Sequence, residues 1–426
     1  MLIKLYLSSC LIISILSIDI ISQIITQEYA TGLTNPMGLT VDGAGYLWVA
    51  EAGTSSNDSR ISIVTNSGVV YPFLINLPSG FYHGAPIGAA HVIFDIDGKL
   101  LIVQGEGTSQ RSESILVVDT SGFTPGDPPL TPLDIEARYN IGDYSISQGA
   151  QSTNPYRITL GPNDDWYISD AGFNGVIKRE RSTGTLSVFT RINLIVTTGI
   201  VYTGPQFFIG SLSEFPIPTG AAIVYDVDLM GNYSTFHGGL TAIVDIAVNP
   251  LDGRLFVLQY AEYNSGWYFN TGALFVVTNS SVDTLIYGLN FPTGMAFNAD
   301  GELYISNRVD GIITKVTGIP VGVGNEINSL PVEYTLSQNY PNPFNPSTMI
   351  VYQLPVNNDV TIKVFDLLGR EVATLVNGYK TAGSYQVEFN AEEFVSGIYF
   401  YTIQAGDPST GSGQGFVQTK KMLLLK

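Results

Sequence analysis

The sequence predicts an all-β protein: a six-bladed β-propeller followed by a small Ig-like β-sandwich. Glycine accounts for 45 of the 426 residues and charged residues for only 13%, a composition typical of short strands joined by tight turns. One strand–turn–strand pattern recurs through most of the chain before Gly318. After Gly318 the composition changes, and a second strand-rich segment follows.

The length and the charge restrict the classes of protein to which this chain can belong. At roughly 150 residues a domain, the length predicts two or three domains. The net charge of −18 and the pI of about 4.4 argue against binding to nucleic acid or to anionic membranes, because both would repel the chain. Cations, sugars and basic proteins remain as partners.

The amino terminus predicts a secretory signal peptide over residues 1–22. One lysine precedes an apolar run from Leu5 to Ile18, and small residues follow near Ser22. The alternative is a membrane anchor, although the run is short for a span and Asp19 interrupts it. The single cysteine, Cys10, lies within this run, so the mature chain would contain neither a disulfide nor a nucleophilic thiol.

The repeats are the main evidence for the first domain, which we place at residues 26–318. Each copy is an alternating apolar strand, a turn rich in Gly, Asp and Asn, and a second strand. Five copies begin at Pro36, Ala89, Pro155, Val244 and Pro292. Their turns fall near residues 42, 97, 163, 252 and 300, and the double interval after 163 predicts a degenerate copy, "VYTGPQFFIGSL" from Val201.

Six copies of about 40 to 65 residues match the length of propeller blades. The last copy lacks an outer strand, and "TQEYATGL", before the first copy, is a strand without a blade. We therefore predict that this amino-terminal strand completes the sixth blade. The phrases "NPMGLTVDGAGYLWVAEAG" and "FPTGMAFNADGELYISNRVDGIITKV" resemble the ScyD/ScyE family, relatives of the NHL-repeat propellers. That resemblance implies the fold and supplies no shared catalytic motif.

Residues 319–330 read as a linker, and residues 331–426 as a second domain. The strands "VTIKVFDLLG", "SYQVEFNA" and "GIYFYTIQA" alternate, and glycines at 369, 378, 383 and 397 separate the segments. About seven short strands are typical of a β-sandwich. In the stretch "NYPNPFNPST", prolines fix φ and remove backbone donors, so we expect an extended arm that begins the sandwich, with Phe344 as its packing anchor.

This segment resembles the type A carboxy-terminal sorting domain of the type IX secretion system. The landmarks are "NYPNPFNPST", "VFDLLGREV", "AGSYQVEFNA", "SGIYFY" and "KKMLLLK". They place the sorting signal on Pro341, Asn342, Pro343, Phe344, Asn345, Pro346, Gly369, Gly383, Gly397, Lys420 and Lys421. The stretch "GDPSTGSGQG" resembles a flexible hairpin loop within this domain.

The resemblance implies export across the outer membrane by the type IX machinery and removal of the tail by its sorting peptidase. The cargo is then released or attached to the cell surface, and the source belongs to the Bacteroidota or their relatives. The alternative is an ordinary Ig-like accessory domain that binds a sugar or a partner.

The second strands of the six repeats end at polar residues. By alignment these are Glu51, Gln104, Asp170, Ser211, Gln259 and Asn307, with the acids Glu106, Glu214 and Glu262 close behind. In a propeller these ends share one face, near the channel mouth. They would suit a hard cation such as Ca²⁺, a sugar or a cationic ligand. The alternative is that they cap strand ends by bonding to turn backbones.

The histidines His83, His91 and His237 are predicted in, or at the end of, loops that enter first strands on the same face. His91 is the catalytic candidate because it should lie near the channel, although an ordinary loop role is the alternative. The sequence contains no G-x-S-x-G elbow, no HExxH and no phosphate loop.

These observations favour an exported binding propeller, expected to be monomeric, with a small-molecule, glycan or protein ligand. They leave open whether it is an enzyme. The enzymatic alternative is a metal-dependent hydrolase or lactonase similar to the gluconolactonase propellers, with Glu51, Asp170 and Asn307 as residues of the right types. The third hypothesis is a structural or adhesive envelope protein.

Overall fold

The computed structural model describes residues 24–82, 85–105, 112–192, 195–213, 216–320, 334–339, 342–355, 358–380, 383–406 and 415–426. The predicted signal peptide and Cys10 lie outside these ranges, as does the linker except for its first two residues. In the described part, none of the helices combines the length and the hydropathy that a membrane crossing requires.

The first strand, β1, spans Ile25–Ala30 and pairs with the last strand of the repeat region. Sheet 1 contains β2 (Pro36–Val41), β3 (Leu47–Glu51), β4 (Ser59–Val64) and β5 (Val70–Leu77). A small hairpin follows, formed by β6 (Gly80–Tyr82) and β7 (Ala85–Ile87). Sheet 2 contains β8 (Ala89–Phe94), β9 (Leu100–Gln104), β10 (Ser114–Val118) and β11 (Ala137–Asn140).

A short helix, α1 (Ile141–Ser147), precedes sheet 3. Sheet 3 contains β12 (Pro155–Leu160), β13 (Trp166–Asp170), β14 (Gly175–Arg179) and β15 (Leu186–Arg191). Sheet 4 contains β16 (Thr197–Tyr202), β17 (Phe207–Ser211), β18 (Ala222–Val227) and β19 (Tyr233–Leu240). Sheet 5 contains β20 (Ile243–Val248), β21 (Leu255–Gln259), β22 (Gly272–Val277) and β23 (Val282–Leu289). Sheet 6 contains β24 (Pro292–Phe297), β25 (Leu303–Asn307), β26 (Ile312–Thr317) and β1.

The pairing of β1 with β26 is antiparallel, with Ile25 opposite Thr317. The prediction that the amino-terminal strand supplies the missing outer strand of the last repeat is therefore confirmed. The degenerate copy also forms the expected hairpin, β16–β17.

The turns between first and second strands follow from their side chains. The Asp42 carboxylate accepts hydrogen bonds from the backbone N–H groups of Ala44 (2.8 Å) and Tyr46 (2.9 Å), which closes the turn of sheet 1. Gly45 then adopts φ +84°, and Gly301 adopts φ +77° in the matching turn of sheet 6. Glycine is needed at both positions because other side chains rarely tolerate that conformation.

Apolar side chains fill the space between consecutive sheets. Trp48 and Phe73 of sheet 1 pack with Ile102 of sheet 2, and corresponding clusters join each later pair. A further cluster joins sheet 6 to sheet 1 through Tyr304 and Leu39. The first strands also contact one another in the cyclic order β2, β8, β12, β16, β20, β24 and back to β2.

The carboxy-terminal segment contains seven described strands in two sheets. They are β27 (Thr335–Leu336), β28 (Ser347–Leu354), β29 (Asn358–Phe365), β30 (Glu371–Lys380), β31 (Gly383–Asn390), β32 (Gly397–Ala405) and β33 (Phe416–Leu424). One sheet has the order β27-β28-β31 and the other β30-β29-β32-β33. Both contribute to a single apolar core, which includes Tyr352, Phe389 and Tyr401.

Three expectations about this segment require correction or fall outside the described residues. The proline-rich stretch does not begin the fold, because β27 precedes it, and residues 342–346 form bends around one bridge residue instead of an extended arm. Gly378 does not separate strands but lies inside β30, whereas Gly383 and Gly397 begin strands and Gly369 occupies a turn at φ +76°. Pro341 and most of "GDPSTGSGQG" lie outside the described residues.

Candidate functional site

A cavity of about 200 Å³ opens where the second strands of several sheets end. Its wall includes the residues that directly follow four of those strands: Gly105, Leu212, Tyr260 and Arg308. Its floor includes residues at the beginnings of first strands, and the β6–β7 hairpin covers one side. The cavity therefore occupies the strand-end face on which the sequence predicts a ligand.

Aromatic groups and one cation give the cavity its chemistry. Arg308 is the one charged side chain among the described residues that line it, and Tyr156, Tyr260 and Trp267 supply rings. The rings of Tyr260 and Trp267 meet edge to face, with centroids 4.9 Å apart. Burial raises the pKa of Tyr156 and of Tyr260, although Arg308 opposes the shift at Tyr260. Both hydroxyls therefore remain protonated at neutral pH and can donate hydrogen bonds.

The six second strands end where the sequence predicts, but none of the six predicted residues lines the cavity. The second strands do end at Glu51, Gln104, Asp170, Ser211, Gln259 and Asn307, and all six side chains are buried. In four of the six sheets the residue one position later lines the cavity instead, since successive side chains of a strand point to opposite faces. Tyr260 and Arg308 are such residues, because they directly follow Gln259 and Asn307. Including the residue after each predicted strand end would have found them.

The two buried acids accept hydrogen bonds from donors in neighbouring strands and loops and in α1. Both oxygens of Glu51 accept hydrogen bonds from Arg60, at 2.7 and 2.8 Å, and Ser62 and the Thr34 N–H also donate to it. The contact with Glu51 raises the pKa of Arg60, although burial opposes it.

Asp170 accepts from the hydroxyls of Ser145 and Thr153, each at 2.6 Å, and from three backbone N–H groups. Such contacts agree with the alternative in which these side chains cap strand ends.

The other four strand-end residues, whose side chains are amides or a hydroxyl, also form hydrogen bonds to nearby segments. The Gln104 amide donates to Pro78 O (3.0 Å), the Gln259 amide to Thr271 O (2.9 Å) and the Asn307 amide to the Thr314 hydroxyl (2.9 Å). The Ser211 hydroxyl bonds to the backbone of Ile223. Each side chain thus ties a strand end to a neighbouring segment.

The acids expected behind the strand ends are not described, with one exception. Glu106 and Glu214 lie outside the described residues, and Glu262 accepts a 3.4 Å hydrogen bond from the Tyr287 hydroxyl. Within the described ranges, no group of three or more His, Cys, Asp or Glu side chains is placed to hold a metal ion. Glu51, Asp170 and Asn307 each bond to different partners, and none of the three lines the cavity.

A buried ion pair, which the sequence did not suggest, lies beneath the cavity. Arg157 of sheet 3 is 1% exposed, and its Nε lies 3.1 Å from a carboxylate oxygen of Asp245 in sheet 5. Its guanidinium also donates to the carbonyls of Ala90 (3.0 Å) in sheet 2 and Thr293 in sheet 6. Asp245 in turn accepts from the Met295 N–H (2.9 Å). One arginine therefore connects four sheets.

The three histidines do not share one setting. His83 lies outside the described residues. His237 is not in a loop that enters a first strand, because it lies within β19, the outer strand of sheet 4, and bonds to Thr278 O at 2.9 Å. His91 is the third residue of β8, close to Arg157, and its buried Nδ1 has no described hydrogen-bond partner. Burial, assisted by Arg157, lowers the pKa of His91 well below its usual value.

The lowered pKa of His91 makes the stability of the repeat region depend on pH. In the unfolded chain His91 takes up a proton below about pH 6.5, whereas in the folded chain it stays neutral. Stability is therefore fully present above pH 6.5 and falls as the pH drops. We expect protonation of His91 in the unfolded chain to lower the free energy of unfolding by about 1 kcal/mol between pH 6.5 and pH 5.5.

Urea titrations at several pH values test this expectation. The His91→Gln variant should lose this part of the pH dependence, whereas His237→Gln should keep it. An unchanged slope in His91→Gln would contradict the assignment.

In the carboxy-terminal segment the proline-rich stretch contacts the last strand. Phe344 is 2% exposed in the core, as expected for a packing anchor. Its N–H donates to Leu423 O (3.0 Å), and the Leu425 N–H donates to Phe344 O (3.0 Å). The Asn342 side chain accepts from the Leu423 N–H (2.9 Å). The landmarks "NYPNPFNPST" and "KKMLLLK" are thus joined directly, although about 80 residues separate them.

Comparison with known protein families identifies this segment. Residues 338–412 match the family described as the secretion system C-terminal sorting domain. This segment is a sorting domain. It marks the protein for interaction with the type IX secretion machinery and for export to the cell surface or beyond. No curated protein matches the sequence.

Three solved structures resemble 68–69% of this chain, with sequence identities of 10–14%. One is a protein of unknown function from Bacteroides thetaiotaomicron, 13% identical, covering 69% of this chain and 76% of that chain at a TM-score of 0.48. Another is a gluconolactonase from Xanthomonas campestris, 10% identical, covering 68% and 88% at 0.48. A third is the virginiamycin B lyase of Staphylococcus aureus, 14% identical, covering 69% and 99% at 0.43. Identity at this level assigns neither a ligand nor a reaction.

Proposed function

We propose that the protein is an exported binding protein in which a six-bladed β-propeller holds a ligand at its channel mouth. The sorting domain at residues 338–412 is the observation that carries the export half of this proposal. The cavity at the strand ends, which is lined by aromatic rings and one arginine, supports the binding half.

The propeller assignment rests on the sheets and their packing. Three observations support a closed ring. The repeat region forms six four-stranded sheets, and their first strands contact one another in cyclic order. In addition, β1 from the beginning of the repeat region pairs with β26 at its end. In this proposal the ring is monomeric and related to the ScyD/ScyE propellers. The two-sheet tail with its single core is an Ig-like sandwich.

The route of export has two stages in this proposal. The amino-terminal signal peptide takes the chain across the inner membrane, and the sorting domain then engages the type IX machinery and its peptidase. The source is a member of the Bacteroidota or their relatives. The mature protein is released or remains at the cell surface.

Export is tested in a bacterium that has the type IX machinery. The complete chain should appear outside the outer membrane, whereas a variant without residues 331–426 should accumulate in the periplasm. A strain without the machinery should retain the complete chain, and residues 331–426 fused to a periplasmic reporter should carry the reporter out. External protein in the absence of either the tail or the machinery would contradict the proposal.

A further inference from the structure

We propose that the cavity binds a small ligand that consists of a ring bearing a carboxylate, with Arg308 as the partner of the carboxylate. This inference rests on the proposed function, because it names the class of ligand for the proposed binding site. Three features support it: the charge of Arg308, which no described carboxylate neutralises, the surrounding rings, and exposed aromatic residues on two segments that adjoin the lining.

Arg308 carries a charge that no described carboxylate neutralises. Its Nη2 donates to Pro86 O and its Nε approaches the Asn35 side-chain oxygen at 3.4 Å. By contrast, Arg60 and Arg157 each pair with an acid. A guanidinium that lines a cavity without a described acid can serve as a local site for an anion. A guanidinium matches a carboxylate especially well because its fork of N–H groups can bind both oxygens.

The remainder of the lining suits a ring. Tyr156, Tyr260 and Trp267 face the cavity together with aliphatic residues such as Ile87 and Val244. Beneath the floor, the Arg157 guanidinium lies 4.5 Å from the centroid of the Tyr156 ring and supports that ring from below. Aromatic faces bind flat apolar surfaces, which both aromatic rings and the C–H faces of sugars present. About 200 Å³ is enough for one such ring.

Aromatic side chains on two segments that adjoin the lining are exposed. Phe81 and Phe269 are each 66% exposed, and Tyr268 is 48% exposed. Phe81 is paired across the β6–β7 hairpin with Pro86, which lines the cavity, so both side chains point to the same face of the hairpin. The loop that contains Tyr268 and Phe269 follows directly from Trp267. Exposed rings on two segments beside one cavity indicate a surface that contacts a ligand extending outward.

Two matched pairs of probes test the charge requirement. Benzoate and benzamide share an aromatic ring, and galacturonate and galactose share a sugar ring, so each pair differs in the carboxylate. Binding to the purified full chain is followed by calorimetry and by tryptophan fluorescence. Trp267 reports on the cavity, since Trp48 and Trp166 are buried in the cores between sheets.

We expect the carboxylate of at least one pair to bind at least about tenfold more tightly than its neutral counterpart. Arg308→Gln should abolish this preference without weakening the neutral probe, and Arg308→Lys should retain part of it. Arg254→Gln, which removes an arginine paired with Asp252, is the control and should bind like the unaltered protein. The pair that responds shows whether aryl acids or acidic sugars are the source of the ligand.

Two outcomes would overturn the inference: neither carboxylate binds, or the preference for the carboxylate survives in Arg308→Gln. Thermal unfolding of each variant shows whether the substitution has disturbed the fold. If Arg308→Gln does not fold, the binding of Arg308→Lys tests the inference instead. Export is measured by where the protein is found in cells, whereas ligand binding is measured on the purified chain. Failure of this inference is therefore distinguishable from failure of the proposed function.

Discussion

Replacing Arg157 with methionine should destabilise the repeat region by about 3–5 kcal/mol, because it leaves the Asp245 carboxylate buried without its cation. Asp245 would keep only the N–H groups of Ile246 and Met295 as described donors. The carbonyls of Ala90 and Thr293 would also lose a donor. Since the arginine connects four sheets, its loss should weaken the packing of the repeat region as a whole.

Urea unfolding followed by tryptophan fluorescence measures this effect in the repeat region alone, because all three tryptophans lie there. Arg181→Met is the matched control, since Arg181 also contacts two acids, Asp95 and Asp97, but is partly exposed. We expect about 0–1 kcal/mol for that control.

A double variant separates the ion pair from simple loss of packing. Arg157→Met combined with Asp245→Leu removes both charges and should recover a substantial part of the lost stability. A loss of less than about 1 kcal/mol in Arg157→Met alone would show that the ion pair is not a major source of stability for the repeat region.

The second large effect concerns the sorting domain. Phe344→Ala should destabilise this domain by about 3–5 kcal/mol, because it leaves a cavity in the single core that both sheets share. The substitution also loosens the contact between the proline-rich stretch and β33, where Phe344 bonds to Leu423 and Leu425.

Hydrogen exchange of residues 415–426 in the full chain reports on this contact. At about 1.4 kcal/mol for each factor of ten, exchange should be at least about a hundredfold faster in Phe344→Ala. Tyr379→Ala, at a residue that is 64% exposed, should change exchange little. Equal exchange in the two variants would rule out Phe344 as the anchor of the domain.

Local sequence determined the strands, the turns and the tail of this protein. Alternating apolar residues separated by Asp-Gly turns predicted the hairpins, and the six second strands end at the residues that the sequence indicated. The partner of β1 was also predictable, because the last repeat lacks an outer strand. The sorting domain was recognisable from short landmarks such as "NYPNPFNPST" and "KKMLLLK", since these are local in the chain.

Only the tertiary structure decided which side chains meet. Side-chain direction in a strand reverses at every residue, so the difference between buried Asn307 and cavity-lining Arg308 depends on how the sheets pack. Arg157 and Asp245 are 88 residues apart, and no local pattern pairs them. Short-range patterns specify strands because strand formation is local, whereas a binding site and a buried ion pair arise from contacts between sheets that lie far apart in sequence.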